Sequence, residues 1–312
     1  MVILISKILI SLILFSGLIL LLWRFNNRKY ISSNTVASAY DSWTEDKLLE
    51  RLWGEHIHLG YYPLNNRNLD FREAKIEFVH QLIRWSGLDK LPKGARILDI
   101  GCGIGGSSRI LADYYGFNVT GITISSGQVD RANQLTLSNS RCNFKVMDAL
   151  NLEFEDGEFD GIWSVEAGAH IPDKERFASE MLRVLRPGGF LALADWNSRD
   201  FSIHPPSFIE KLVLKQLLEQ WVHPEFISIK GFHEILSKNE FSSGVVDSEN
   251  WNFYTIPSWY ASIVEGIKRP NAILSLGPLA LIKSIREIPT ILLMHWAFSK
   301  GLMEFGVYKC RG

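Results

Sequence analysis

Two stretches of this chain carry residue types and spacings that could do chemistry. The first, residues 99–106, reads DIGCGIGG: an apolar run of Ile97, Leu98 and Ile100 feeds glycines at 101, 103, 105 and 106. A backbone so bare of side chains can take positive φ and bring main-chain N–H groups against a ligand. A helix starting there aims the positive end of its dipole at the same point. That is chemistry for holding a nucleotide-like molecule. Gly101, Gly103 and Gly106 also satisfy the G-x-G-x-x-G dinucleotide pattern, so the turn alone does not separate a nicotinamide or flavin binder from any other nucleotide site. The second stretch, residues 53–62 (WGEHIHLGYY), packs two histidines, a carboxylate and three aromatics into ten residues. It reads either as a binding surface or as a half-buried loop whose His56 and His58 satisfy backbone groups. Metal is not expected, because no third ligand follows at a recognisable spacing.

A scaffold must hold these residues, and the chain after the glycine turn supplies one by strict alternation. Strands are expected over 118–124, 143–147, 159–165 and 190–194, with helices ending near 115 and spanning 126–137 and 174–185. The last helix stops at Arg186-Pro187-Gly188-Gly189. Strand and helix alternating at this spacing predict a parallel sheet covered on both faces, with ligands at the carboxyl ends of its strands. Upstream, Asp41-Ser42-Trp43-Thr44-Glu45 reads as a helix start, and residues 71–85 carry apolar side chains at helical spacing. Downstream, 196–220 leads into a Leu- and Val-rich helix, and 241–247 reads as a strand. Residues 288–305 are apolar but interrupted by Pro289, His295, Lys300 and Glu304, and 306–311 reads as a closing strand.

Composition bounds the function. With 312 residues, 46% apolar, 21% charged and a net charge of −1, the chain has material for one large domain or one and a half. It offers no basic footprint for nucleic acid. Three widely spaced cysteines, Cys102, Cys142 and Cys310, support neither a disulfide framework nor a metal cluster and fit a reducing compartment. Residues 2–23 are apolar with Lys7 as the one charge. As a helix they would run roughly 33 Å at about 1.5 Å per residue, enough for a bilayer core of about 30 Å. Ala37-Ser38-Ala39 resembles a signal-peptide cleavage site but lies too far beyond the apolar segment. Arg24, Arg28 and Lys29 follow the segment, so the expectation is a single-pass anchor with the rest in the cytoplasm, at a plasma, inner or thylakoid membrane.

The glycine turn's ligand is decided by what surrounds it. A dinucleotide site places an acid about twenty residues past the first glycine. Here the neighbourhood is Gly121-Ile122-Thr123-Ile124-Ser125, with no acid. The set DIGCGIGG, GITIS with Gln128, Asp148-Ala149, WSVEAGAH (163–170) and LRPGG (185–189) resembles the class I S-adenosylmethionine-dependent methyltransferases, in the branch that methylates tocopherols, sterols and related lipids. The motifs AYDSWTED (39–46), WGEHIHLGY (53–61) and REIPTILLM (286–294) extend the similarity, over nearly the whole chain, to the members that methylate prenylated hydroquinones for tocopherol and plastoquinone synthesis.

The fold this implies is α/β: a Rossmann-like class I methyltransferase sheet with helices on both faces, preceded by an N-terminal transmembrane helix and carrying C-terminal helical insertions. The corresponding parts are an anchor (1–23), a substrate cap (24–94), the cofactor-binding core (95–200) and C-terminal insertions with closing strands (201–312). By the same resemblance Asp99, Gly101 and Gly103, with Cys102 between them, hold the amino-acid end of S-adenosylmethionine. Asp148 and Ala149 meet the adenine, and Ser164 lies beside the donor. Thr123, with Gln128 a turn later, stands where most members have a ribose-binding acid. The partners implied are a prenylated hydroquinone and the bilayer.

Methylating an aromatic carbon is easier once a hydroquinone hydroxyl, a phenol that ordinarily titrates at about 10, gives up its proton. His170 or Glu166, after the fourth strand, is the expected base, and His58 the expected substrate contact. Tyr61, Tyr62 or Trp163 could face the sulfonium as cation–π partners. The C-terminal helices are expected to pack on the sheet as ordinary core helices, the alternative being a lid with a greasy mouth for a prenyl chain. Two rival functions stand beside this one: methylation of a sterol, another lipid or γ-tocopherol, and a non-catalytic membrane-tethered nucleotide-binding protein.

Overall fold

The computed structural model describes residues 28–312, with Gly17 before them. The anchor expected over 2–23 lies outside the described residues, and among those described no helix is long and apolar enough to cross a membrane.

The alternation read from the sequence becomes a seven-stranded sheet. Its strands are β1 (Arg96–Ile100), β2 (Asn118–Thr123), β3 (Cys142–Val146), β4 (Phe159–Val165), β5 (Leu185–Ser198), β6 (Val246–Asn250) and β7 (Met303–Arg311). They lie in the order β3-β2-β1-β4-β5-β7-β6. The first five run parallel, and β7 enters antiparallel between β5 and β6. The sheet is therefore completed by strands from the last quarter of the chain. Side chains alternate across it as the pleat requires. Ile97, Val119, Trp163 and Ala192 pack on one face with Phe78 and Leu82, while Leu98, Ile122, Ile162 and Leu191 pack on the other with Phe177 and Met181. Phe78 and Phe177 are wholly buried, and truncating either to Ala would cost about 3–5 kcal/mol.

The helices in chain order are α1 (Ser33–Glu45), α2 (Leu48–Trp53), α3 (Phe71–Ser86), α4 (Gly106–Asp113), α5 (Ser126–Leu135), α6 (Lys174–Val184), α7 (Phe208–Trp221), α8 (Ile229–Lys238), α9 (Asn252–Thr255), α10 (Pro257–Lys268), α11 (Pro270–Leu274) and α12 (Pro278–Ser299). Two expectations are corrected here. Residues 41–45 end helix α1 rather than start it; the start lies at Ser32, whose N–H meets the Thr35 hydroxyl and whose carbonyl accepts from it. The strand expected over 241–247 begins at Val246, because Phe241 sits in the turn after α8 and the strand itself is a polar, largely exposed edge. Pro289 does not divide the apolar tail, since α12 runs through it. The C-terminal helices do pack as core on one side: Trp259, Met294, Ala297 and Phe298 are buried with Trp196 and Phe305.

Candidate active site

At the carboxyl ends of β1, β2, β4 and β5 the chain encloses a cavity of about 550 Å³. That lies in the range of about 300–1,000 Å³ usual for small-molecule sites. Asp99, Gly101, Cys102, Gly103, Thr123, Gln128, Asp148 and Ala149 line one part of it; His58, Glu166, His170 and Trp163 line another. Ser164 does not line it. The alternation of β4 turns this residue away, and its buried hydroxyl donates to the Ile100 carbonyl at 2.9 Å, tying β4 to β1. Tyr61 and Tyr62 are also outside the lining, Tyr61 being stacked on Tyr254.

The glycine turn is shaped by its own backbone. Gly101 takes φ +76°, and its N–H and that of Cys102 both donate to the Ile122 carbonyl, at 2.9 and 3.0 Å. These two groups therefore build the turn rather than reach the ligand. A Cβ on Gly101 would strike Ala167, which locks the turn against the loop after β4. Gly103, at φ +54°, differs: an added Cβ would meet nothing nearer than Gln128 Nε2 at 4.0 Å. It is a bare stretch of cavity wall. Beside it Asp99 is buried, accepts the Ser108 hydroxyl at 2.5 Å, and has its carboxyl pushed up to about 7 by desolvation. A buried carboxyl of that kind is matched by a cation, such as the ammonium of an amino-acid tail. Burial also pushes the Cys102 thiol well up, so it is wall rather than nucleophile.

Where a ribose acid is missing, the structure builds a relay. Thr123 donates its hydroxyl to Gln128 Oε1 at 2.7 Å, which leaves the Gln128 amide N–H₂ to the cavity. The start of α5 is held by Asp41 of α1: its Oδ1 accepts from the Ser125 hydroxyl at 2.5 Å and from the Gly127 N–H at 3.0 Å. Asp148, at the end of β3, accepts the Leu150 N–H with one oxygen and is otherwise exposed at the cavity.

Residues 53 and 55–59 of the segment 53–62 line the cavity, and its His58 also satisfies a backbone group, so features of both readings meet in one loop. Lys75 donates to the His56 carbonyl at 2.6 Å, Gly60 to the Ser258 hydroxyl at 2.7 Å, and Leu59 N–H to Glu166 Oε1 at 2.7 Å. His58 is not free to touch a substrate through nitrogen. Its Nδ1 faces the Leu59 carbonyl at 2.8 Å, which only accepts, so Nδ1 carries the proton and Nε2 faces His56 Nδ1 at 3.2 Å. Burial holds its pKa down at about 3, so it stays neutral. The nitrogen this chain leaves open belongs to His56, which also lines the cavity.

His170 is engaged in the same way. Nδ1 faces the Val222 carbonyl at 3.3 Å and is the protonated nitrogen; Nε2 accepts the Tyr40 hydroxyl at 2.9 Å. Burial lowers its pKa to about 4. His223 stacks on it with ring centroids 4.1 Å apart and, like it, is held neutral by burial. Beside the open nitrogen of His56, Glu166 is a carboxyl proton acceptor on the cavity wall. It stands at the end of β4 with φ +53°, a conformation a non-glycine residue seldom takes and one that recurs at functional sites. Desolvation raises its carboxyl to about 8, partly offset by the Leu59 N–H, with Asp195 adding to the rise. Tyr40, His223 and the tryptophans Trp196, Trp221 and Trp259 also line the cavity, and sequence reasoning assigned none of them to it; His56 lines it as part of the 53–62 surface.

A parallel sheet closed by a reversed seventh strand, with a glycine turn and a buried carboxyl after β1, is the arrangement of S-adenosylmethionine-dependent methyltransferases. The comparisons agree. The methyltransferase-domain family matches residues 98–193. The 2-methyl-6-phytyl-1,4-hydroquinone methyltransferase of Synechocystis sp. is 53% identical over 300 residues, spanning 96% of this chain and 93% of that protein. The chloroplastic tocopherol O-methyltransferase of Arabidopsis thaliana is 33% identical, over 85% of this chain and 78% of that protein. Among solved structures, one described as a sarcosine dimethylglycine methyltransferase from Galdieria sulphuraria superposes with a TM-score of 0.70 at 22% identity, over 85% of this chain and 97% of its own. The chain belongs to the S-adenosylmethionine-dependent methyltransferase family of these two quinol and tocopherol enzymes. Its cofactor is S-adenosylmethionine, and the open wall at Gly103 with the cation-seeking Asp99 fits that molecule.

Proposed function

We propose that the chain transfers a methyl group from S-adenosylmethionine to a ring carbon of a prenylated hydroquinone, 2-methyl-6-phytyl-1,4-hydroquinone or its solanesyl analogue, in tocopherol and plastoquinone synthesis. The near full-length similarity to the Synechocystis enzyme supports the acceptor. The observation that carries the chemistry is Glu166, a carboxyl lifted to about 8 inside a cavity with aromatic walls. When bound, the donor supplies an electrophilic methyl on a sulfonium. Glu166 takes the proton of an acceptor hydroxyl, leaving the ring carbon electron-rich; a base poised near the working pH does this best. Tyr40, His170, Trp163 and Trp196 line the same cavity and supply its apolar and aromatic wall. In this reading residues 2–23 anchor the protein in a plasma, inner or thylakoid membrane with the folded part in the cytoplasm, supported by the apolar run and the cations at 24, 28 and 29.

The test is to offer labelled donor and purified protein in membranes the phytyl and solanesyl hydroquinones, γ-tocopherol and a sterol in parallel. Label on a ring carbon of the hydroquinones is the expected outcome. Label confined to tocopherol or sterol would assign the protein to another member of the branch.

A further inference from the structure

Helices α10 and α12 pack against each other, and both leave large apolar side chains in water. On α10 these are Tyr260, Val264 and Ile267, at spacings of four and three, so they form one stripe; Ile267 is 73% exposed. On α12 they are Leu281, Ile288 and Leu292, at spacings of seven and four, on the side where His295 meets Tyr260 of α10 with ring centroids 4.0 Å apart; Leu292 is 45% exposed. Lys268 and Lys300, both exposed, stand at the ends of the two helices. A contiguous apolar face with a basic rim on a folded protein marks an interaction surface. Neither helix is long and apolar enough to cross a membrane.

The chain itself indicates what covers that face. Arg28 joins its guanidinium to Glu287 of α12 at 2.6 Å, and its N–H donates to the Glu219 carbonyl of α7 at 2.6 Å. Four residues separate Arg28 from the end of the apolar run at Trp23, at most about 18 Å of extended chain. Tyr30 and Ile31, next along, wall the cavity. A bilayer receiving residues 2–23 is therefore within a few residues' reach of both α12 and the cavity mouth.

We propose that the outer face of α10 and α12 lies in the acyl boundary of that same bilayer, with Lys268 and Lys300 at anionic headgroups, so that the cavity opens onto lipid. Amphipathic helices seat in this way about 5–10 Å deep, without spanning. The inference rests on the anchor reading above and adds to it the surface that lies on lipid and the route by which a water-insoluble prenyl acceptor reaches the cavity.

The test uses the full chain in vesicles containing anionic lipid. Single cysteines replace Ile267, Leu292, Trp23 and, as a control, Leu137, which is 78% exposed on the cofactor-binding half. Each carries a fluorophore quenched by spin-labelled acyl chains. Quenching at Ile267→Cys and Leu292→Cys several-fold stronger than at Leu137→Cys is expected. If those two are quenched no more than the control while Trp23→Cys is quenched, the face is wrong and the anchor right. If Trp23→Cys also shows no quenching, the anchor reading fails with it. Shielding of the label without lipid quenching, together with an intermolecular disulfide through Ile267→Cys, gives the face to a second copy and overturns the proposal.

Discussion

The Tyr40 hydroxyl donates to His170 Nε2 across 2.9 Å, and that bond joins helix α1 to the turn after β4, 130 residues away. The ring geometry reinforces it: Tyr40 meets His170 edge-on at 5.4 Å, and His223 stacks on the other side. Losing either partner leaves a buried polar group unsatisfied, a cost of about 1–3 kcal/mol. Tyr40→Phe and His170→Ala are each expected to lower kcat/KM by about tenfold or more, since about 1.4 kcal/mol is one decade. Because they share one bond, the double variant should fall well short of the sum, with a coupling of about 1 kcal/mol or more. Strictly additive losses in that cycle would sink the pairing.

Glu166 gives the reaction its pH dependence. With a carboxyl near 8 in the free protein, most molecules hold the proton at pH 7, so kcat/KM should climb as pH rises and level off above about 8. Were His170 the base, its pKa near 4 would leave the profile flat across the same window. Glu166→Gln should reduce kcat by about 10²–10⁴ with little change in donor affinity, and should abolish the rise. An unchanged profile in that variant would move the base elsewhere.

Local pattern explains which features the sequence disclosed. The glycine turn, the alternating strands and the Asp148-Ala149 corner are set by residues within a few positions of one another, and each was readable. Tyr40 and His223 were not, because they reach the cavity through contacts between distant segments. Asp41 shows how a local signal misleads. Asp-Ser-Trp-Thr-Glu looks like a capping sequence, and Asp41 does cap a helix, but the helix is α5, reached across 86 residues through Gly127. His58 lines the cavity but backbone and ring partners already use its nitrogens, and Ser164, expected beside the donor, is turned away from the cavity and ties β4 to β1. The polar edge strand β6 carried no apolar alternation to read, being held by its pairing with β7 and by side-chain bonds of Ser248 to His233 and of Glu249 to Trp85.

Asp99 couples donor binding to protons. Its folded carboxyl near 7 lies above the ordinary value of 3.8, so between those limits the unfolded chain ionises it while the folded protein keeps the proton. Its contribution to stability therefore falls as pH rises from about 4 to about 7 and is constant above. A cation in the cavity favours the carboxylate, so donor affinity should weaken as pH drops below about 7, by up to about tenfold per pH unit. Calorimetry in buffers of different ionisation heat should show a proton released near pH 6. Asp99→Asn should bind more weakly and lose both the proton release and the slope.

Gly103 separates binding from folding more cleanly than its neighbours. Gly101→Ala would drive a methyl into Ala167, so its loss of activity would report a damaged fold. At Gly103 an added side chain finds open cavity, with strain only from φ +54°. The backbone cost of placing alanine in that region is about 1–2 kcal/mol. Gly103→Leu, unbranched at Cβ, should therefore stay folded, with Tm lowered by a few degrees and the circular dichroism spectrum intact, while S-adenosylmethionine affinity falls by more than tenfold. Retention of wild-type affinity by the folded variant would mean that the donor does not pass along this wall, and the cofactor position carried over from the glycine motif would have to be abandoned.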